Sequence, residues 1–339
     1  MIDNMKLDTF LKNELFSGTV LIKRADKKLF SGAYGYADII EKRLNNIQTK
    51  FRIASLNKLF TAISIVQLVE EGKLKLSTKI DRYFDSKFNG ITVHELLTHT
   101  SGLTDYYDHI AENGWERFCR EFNLSQFREL RDYTQVLKNK IERRDDHKFF
   151  YSCAGYILLG LLIEKITGIT YKQYVQDNIL NKLNLQDTIF YEIDDLVENV
   201  AQGYYICNGI IKKNTFKILP SSTSNGGALS NVDNMVTLLQ ELLKKSCCLV
   251  KQNEVLLKPY VEQNSMTHGY ILLYGYGMEY LMNSDNEVIR MGVAGEEIGV
   301  SCRLYYYPKE KITFSIMSNY SLASSKVAWY IHEQICLKD

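Results

Sequence analysis

Residues 51–58 are Phe-Arg-Ile-Ala-Ser-Leu-Asn-Lys, and they open a long helical pattern that continues to Glu71. Apolar residues recur along it at spacings of three and four, and Gly72 follows as a residue typical of a helix end. Ser55 and Lys58 form the only S-x-x-K of the chain, and residues three apart share one face of a helix. We therefore expect the hydroxyl and the amine to meet at the N-terminal end of this helix, where backbone N–H groups are free.

This pair suits nucleophilic catalysis only under a particular condition. A serine hydroxyl becomes a good nucleophile when a neighbouring base takes its proton. Lysine can be that base only in its neutral form, which burial favours. Four apolar neighbours could supply the burial. The same residues also fit a plain structural role, Ser55 as a helix N-cap and Lys58 as a solvated residue, and the tetrapeptide alone favours that role. The four neighbours are Phe51, Ile53, Leu59 and Phe60.

The predicted elements change type along the chain in a way that indicates the fold class. Runs rich in β-forming residues lie near both ends, and a mostly helical block separates them. Strands from the two ends of the chain can form one sheet only if the helical block is an insertion between them. We therefore expect an α/β (α+β) fold whose antiparallel sheet, built from both chain termini, is flanked by helices. The predicted strands are 17–24, 29–36, 270–282, 287–291, 300–307 and 312–318, and the predicted helices are 55–71, 94–98, 115–122, 130–144, 154–167, 171–180, 232–244 and 323–335.

The same order predicts two lobes. Residues 1–80 and 220–339 would form an α/β lobe, residues 81–219 would form a helical lobe, and an active-site cleft would lie between them. The densely charged stretch 138–148 is expected to be a solvated helix face.

Composition excludes several classes of protein. The chain has 339 residues, and its 41 Lys and Arg balance 40 Asp and Glu, so no excess of positive charge predicts nucleic-acid binding. No apolar run approaches the ~20 residues that span a bilayer, and the N-terminus lacks a leader pattern, so we expect a cytoplasmic protein without a membrane span. The seven cysteines, including the adjacent Cys247 and Cys248, are expected to be reduced thiols packed in the core.

Metal and cofactor motifs are weak or missing. His94 and His99 resemble a zinc-protease motif, but their spacing of five places them on different helix faces. The glycines match neither a phosphate-binding nor a dinucleotide-binding loop, and no G-x-S-x-G elbow occurs. We therefore expect no metal and no cofactor.

Several segments together resemble one family. Residues 51–58 are similar to the nucleophile segment of the class C β-lactamase-like serine hydrolases, which include penicillin-binding proteins, D-peptidases, β-lactamases, esterases and amidases; S-x-x-K is a known signature of related enzymes. The resemblance implies a β-lactamase/DD-peptidase-like fold, with Ser55 as the nucleophile and Lys58 and Tyr151 sharing its proton. It further implies an oxyanion hole formed by the backbone N–H groups of Ser55 and Glu296. The other matching segments are 91–103, 150–168, 226–231 and the glycine pattern 292–299.

Two substrate-binding positions depart from the family pattern. The family's Tyr-x-Asn is Tyr151-Ser152-Cys153 here, and a thiol hydrogen-bonds more weakly than an amide. The family's Lys-Thr-Gly or His-x-Gly is Val293-Ala294-Gly295, and valine can neither pair with a carboxylate nor relay a proton. Arg290 or Arg303 could compensate.

These departures lead to three functional hypotheses. The first is a serine carboxylesterase or amidase that forms an acyl-enzyme on Ser55 and acts on a small ester, amide or D-peptide. The second is a D-amino-acid peptidase, β-lactamase or penicillin-binding protein of the same fold. The third is a non-catalytic binding or sensor protein. Acyl group, leaving group and oligomeric state stay open.

Overall fold

An eight-stranded antiparallel sheet forms the centre of the computed structural model, which describes residues 2–84, 86–106 and 114–336. The strand order is β2-β1-β14-β13-β12-β11-β10-β9. The strands are, in chain order, β1 (Gly18–Arg24), β2 (Lys27–Tyr34), β3 (Tyr36–Asp38), β4 (Arg43–Leu44), β5 (Phe51–Arg52), β6 (Tyr204–Cys207), β7 (Ile210–Lys213), β8 (Leu229–Ser230), β9 (Val261–Thr267), β10 (Tyr270–Tyr274), β11 (Glu279–Met282), β12 (Val288–Glu297), β13 (Val300–Tyr307) and β14 (Ile312–Ser318).

The two ends of the chain meet in this sheet, because β1 pairs with β14 from Gly18↔Ser318 to Arg24↔Ile312. The prediction of one antiparallel sheet built from both termini is confirmed. The finer division into lobes 1–80 plus 220–339 and 81–219 stays a prediction.

Helices cover both faces of the sheet. The α-helices of the described residues are α1 (Asn4–Asn13), α2 (Asn57–Glu70), α3 (Val93–Leu97), α4 (Gly114–Glu121), α5 (Thr134–Asn139), α6 (Cys153–Thr167), α7 (Tyr171–Val175), α8 (Asn181–Leu183), α9 (Val232–Leu242) and α10 (Ala323–Cys336).

Neighbouring residues of a strand point to opposite faces of the sheet, and this alternation builds two cores. Val20 and Ile22 of β1 join a core with α1 and α10, whereas Leu21 between them joins the core that contains α2 and α6. Val293 of β12 also belongs to the α2 side. The middle of β12 therefore presents its side chains alternately toward α2 and toward α10.

Helices α2 and α6 are buried for most of their length. Their apolar surface faces other parts of the protein, which explains why both sequences are apolar almost all round. Among the described residues no single helix has the length and hydropathy to cross a bilayer. One pair of segments, Cys153–Thr167 and Tyr171–Leu183, meets that test jointly, but it is bent by 80°.

Most predicted elements are present with shifted ends. The predicted helix 130–144 is wrong in its second half, because α5 ends at Asn139. The charged stretch 138–148 is mostly exposed, as expected, but it is not helical beyond Asn139. There the backbone bonds to residues 102–104 instead: Arg144 N donates to Gly102 O at 2.8 Å and Thr104 N donates to Glu142 O at 2.9 Å.

The prediction of buried cysteines is wrong for most of them. All seven are free thiols, but only Cys153 and Cys302 are buried, and Cys248 is exposed. Cys248 lies just after α9, where its backbone N–H donates to Glu241 Oε1 at 2.8 Å.

Candidate active site

Ser55 lies in a short 3-10 turn, Ala54–Leu56, that leads into α2. The expectation that Ser55 caps the helix is wrong, because Leu56 occupies the N-cap position and the Ser55 side chain makes no capping bond. Ala54 enters the turn with a φ of 46°, an uncommon value for a residue with a side chain. The turn leaves Ser55 partly exposed and directs its Oγ toward Lys58 Nζ, 3.0 Å away.

The Lys58 amine is buried and has a full set of partners. Its Nζ lies 3.0 Å from Ser55 Oγ, 2.9 Å from Asn225 O and 3.5 Å from Cys153 Sγ. An ammonium group carries three N–H donors, and these three atoms can accept them. The geometry therefore fits a protonated Lys58 in the resting protein.

Burial and the acidic groups around Lys58 shift its pKa in opposite directions. Burial by itself lowers the pKa of Lys58, but Cys153, Tyr151 and Asp105, which carry negative charge when ionised, outweigh it and raise that pKa above its ordinary value. Because Cys153 and Tyr151 have this effect only as anions, the expectation of a neutral Lys58 stays a prediction. The predicted burial of Lys58 is confirmed, and the groups that its amine contacts are polar.

The Tyr151 phenol contacts the same serine from the solvent side. Its OH donates to Ser55 Oγ at 2.9 Å, and 37% of the residue remains exposed. Lys58 Nζ lies 4.8 Å from the centre of the Tyr151 ring. Burial of the phenol raises the pKa of Tyr151, and the nearby ammonium only partly opposes this rise. Burial therefore favours a neutral Tyr151 phenol at rest.

Cys153 begins helix α6 and points its thiol at the Lys58 amine. The backbone N–H groups of Cys153 and Ala154 donate to the Asp105 carboxylate at 2.8 and 3.1 Å. A carboxylate at a helix N-terminus satisfies free N–H groups and complements the helix dipole. Asp105 therefore fixes the start of the helix that carries Cys153, a role the sequence analysis missed.

Three successive backbone carbonyls lie along α2 and accept hydrogen bonds from its side chains. The Asn57 amide donates to Thr223 O at 2.9 Å, and the Thr61 hydroxyl donates to Ser224 O at 2.6 Å. The third carbonyl, of Asn225, accepts from Lys58. The loop 223–225 therefore provides a backbone acceptor for the Lys58 amine.

Strand β12 lies directly against the turn that carries Ser55. A Cβ atom at Gly295 would come within 2.7 Å of Ile53 O and 3.2 Å of Ala54 Cβ, so only glycine permits this approach. In the described residues β12 pairs with β11 no further than Gly292, so the following residues pair only with β13. The Glu296 carboxylate turns to Ser301 and Arg303, each at 2.7 Å.

The sequence allows Arg290 or Arg303 to compensate for the Lys or His that Val293 replaces. Both arginines have other partners. Arg303 pairs with Glu296, and the Arg290 guanidinium lies 4.0 Å from the ring centre of Tyr305 and 5.2 Å from that of Trp329. These partners place both side chains toward α10. Val293 is 5% exposed and lies in the core on the α2 side.

The two histidines of the zinc-like motif have separate surroundings. His94 Nδ1 lies 2.7 Å from Tyr276 OH, whereas His99 is buried beside Tyr151. Within residues 2–84, 86–106 and 114–336, no group of three His, Cys, Asp or Glu side chains is arranged to hold a metal ion.

Fold and site together place the protein among the β-lactamase-like and penicillin-binding-protein-like folds. The chain is 30% identical to a penicillin-binding protein from Bacillus halodurans, whose crystal structure superposes with a TM-score of 0.88 over 98% of this chain and 100% of that one. It is 26% identical to penicillin-binding protein 4* of Bacillus subtilis (strain 168) over 327 residues, 92% of this chain and 70% of the relative. The fold is also that of the D-amino acid amidase from Ochrobactrum anthropi SV3, with a TM-score of 0.73 and 20% identity over 93% of this chain and 91% of that one.

The chain belongs to the β-lactamase family, whose sequence model matches residues 7–335. The resemblance found in the sequence is therefore confirmed over nearly the whole chain.

Proposed function

We propose that this protein is a serine hydrolase that forms an acyl-enzyme on Ser55 from a small carboxylic ester or amide. The observation that carries the proposal is the position of Ser55 Oγ, within hydrogen-bonding distance of both Lys58 Nζ (3.0 Å) and Tyr151 OH (2.9 Å). A hydroxyl between two titratable groups has both a proton acceptor and a route for returning the proton.

Lys58 and Tyr151 act as one proton-exchanging pair. At rest the pair holds an ammonium and a phenol, so the reactive form is the one that has lost one proton. This form takes the Ser55 proton as Oγ bonds to the carbonyl carbon, and the proton then passes to the departing alcohol or amine as its bond to that carbon breaks. In deacylation the pair takes a proton from water, which attacks the acyl carbon, and returns it to Ser55 Oγ as the acyl bond breaks.

The backbone N–H groups of Ser55 and Glu296 are the proposed oxyanion hole. The close approach of β12 to the Ser55 turn at Gly295 supports this assignment. Because the Glu296 carboxylate binds Ser301 and Arg303, it does not oppose negative charge in the cleft. Donors fixed before the reaction stabilise the tetrahedral intermediate without reorganisation.

The altered positions favour substrates without a free carboxylate. Cys153 offers a weak hydrogen-bonding group, Val293 offers none, and Arg290 and Arg303 are engaged toward α10. An uncharged ester or amide needs no cation at these positions.

The test combines labelling and turnover. We expect a fluorophosphonate to label the protein on Ser55 and short p-nitrophenyl esters to be hydrolysed, with both activities lost in Ser55→Ala. Ser64→Ala is the matched control, because Ser64 is a buried serine of the same helix whose hydroxyl donates to Phe60 O at 2.8 Å. Absence of label and turnover in the unaltered protein would refute the proposal and favour a binding or sensor protein.

A D-peptidase or penicillin-binding activity is the second candidate, favoured by the similarity to penicillin-binding proteins. It predicts that penicillin or nitrocefin leaves a covalent acyl group on Ser55. Complete absence of that acylation, with ester turnover intact, would reject this candidate and retain the first.

A further inference from the structure

His99 makes three contacts with the short segment that carries Tyr151. Its backbone carbonyl accepts from Phe150 N at 2.8 Å, and its Nδ1 accepts from Ser152 N at 3.2 Å. Its ring packs on the Tyr151 ring with 4.4 Å between centroids. One residue thus binds the backbone on both sides of the tyrosine and supports its ring.

We propose that His99 is a positioning residue that holds the Tyr151 phenol on Ser55. The proposal rests on the proposed function, in which Tyr151 exchanges a proton with Ser55. It assigns a function to His99, the second histidine of the zinc-like motif, which contacts Tyr151 rather than Ser55.

The contacts define which form of the imidazole is present. Because Nδ1 accepts from a backbone N–H, the ring proton must be on Nε2. Burial, and secondarily the positive charge of Lys58, lower the pKa of His99 well below its ordinary value. The ring therefore stays neutral, and it adds no second positive charge beside the ammonium of Lys58.

The surroundings show that the ring is held from several sides. Tyr156 and Tyr274 lie with ring centroids 5.1 and 4.8 Å from it, and Phe149 lies at 5.8 Å. Lys58, Tyr151, Tyr156 and Tyr274 are the titratable groups around it in the described residues. Among the described residues its Nε2 has no hydrogen-bond partner. His99 therefore acts through Nδ1 and the face of its ring.

The backbone of His99 suggests a pair of informative substitutions. Its φ of 58° is left-handed, a conformation that asparagine tolerates well. His99→Asn keeps this backbone and an acceptor near the position of Nδ1 but loses the ring contact. His99→Phe keeps an aromatic ring but loses the acceptor.

A double-mutant cycle with Tyr151→Phe separates positioning from general structural support. If His99 acts by placing the phenol OH, His99→Phe should lower kcat for ester hydrolysis about 10-fold with little change in KM when Tyr151 is present. In the Tyr151→Phe background, which has no phenol OH, the same substitution should change kcat less than about 2-fold. His99→Asn should show the same dependence on background, and it decides the question if His99→Phe does not fold. His94→Phe is the control and should leave kcat unchanged in both backgrounds.

Equal losses in both backgrounds, or unchanged kcat in His99→Phe, would overturn the proposal. The pH profile adds a readout that a structural role would not move: His99→Phe should shift the apparent pKa of kcat/KM, whereas His94→Phe should not. Failure of the proposed function is recognised separately, because the unaltered protein would then show no Ser55-dependent ester turnover.

Discussion

Ser55 Oγ and Lys58 Nζ lie 3.0 Å apart across the junction between a 3-10 turn and helix α2. Ser55 lies in the 3-10 turn and Lys58 in the first turn of α2, and side chains three residues apart at a helix start share one face. The left-handed Ala54 backbone and the close contact of β12 at Gly295 keep the turn in this form. The site therefore depends on a backbone shape as much as on its side chains.

Replacing Lys58 by methionine should lower kcat/KM for p-nitrophenyl esters at least ~100-fold, the usual size of lost acid–base assistance. Methionine keeps an unbranched side chain in the buried position but cannot exchange a proton. Lys172→Met is the control: Lys172 is a half-buried lysine whose Nζ donates to Ser221 Oγ at 2.8 Å. Near-normal rates in Lys58→Met would show that Tyr151 activates the serine alone.

The rate should rise with pH. Three acceptors surround Lys58 Nζ and favour its ammonium form, and burial raises the pKa of the Tyr151 phenol, so we expect the pair to hold both protons at neutral pH. Because the reactive form has one proton fewer, kcat/KM should increase about 10-fold per pH unit and level off above the apparent pKa of the pair. Initial rates across the range, corrected for hydroxide hydrolysis, give the profile. A flat profile between about pH 6 and about pH 9 would contradict this protonation state.

Gly295→Ala should reduce turnover at least about 10-fold by moving β12 away from the Ser55 turn and separating the two oxyanion donors. The added Cβ would come within 2.7 Å of Ile53 O and 2.9 Å of Leu56 Cδ1. Gly155→Ala is the matched control, since a Cβ there meets its nearest neighbour at 3.6 Å. Steady-state kinetics with a thermal melt separates loss of the oxyanion hole from unfolding, and normal kcat in Gly295→Ala would reject the assignment.

The double substitution Cys153→Asn with Val293→His should introduce acylation by β-lactams or D-peptides. It supplies an amide beside Lys58 and a group on β12 that can pair with a carboxylate or relay a proton. Intact-mass measurement after incubation with nitrocefin, penicillin and D-peptides follows the change, with each single substitution as a control. Unchanged selectivity in the double variant would show that other residues set the preference.

Much of the fold was predictable because its strands are continuous and sharply bounded. The strands β13 and β14 have the predicted bounds, since polar turns separate them. Helix α1 and strand β9 were missed: α1 has short apolar periodicity, and β9 (Val261–Thr267) contains several polar residues. The strand 287–291 was predicted too short, because glycines and acidic residues obscure the second half of β12.

The site was predictable only in its side chains. The spacing of Ser55 and Lys58 indicated their contact, and the family resemblance indicated Tyr151. The carbonyl of Asn225 could not be predicted, because a backbone acceptor has no sequence signature. The partners of the Lys58 amine were not visible for a related reason: Cys153 and Asn225 come from distant segments of the chain.

The most direct test is to trap the acyl-enzyme and locate it. Rapid acid quench of the protein reacting with a p-nitrophenyl ester, followed by proteolysis and mass spectrometry, should place the acyl mass on Ser55. Cys153 is the rival nucleophile, because its thiol also contacts Lys58. Acyl mass on Cys153, or turnover that persists in Ser55→Ala, would contradict the account.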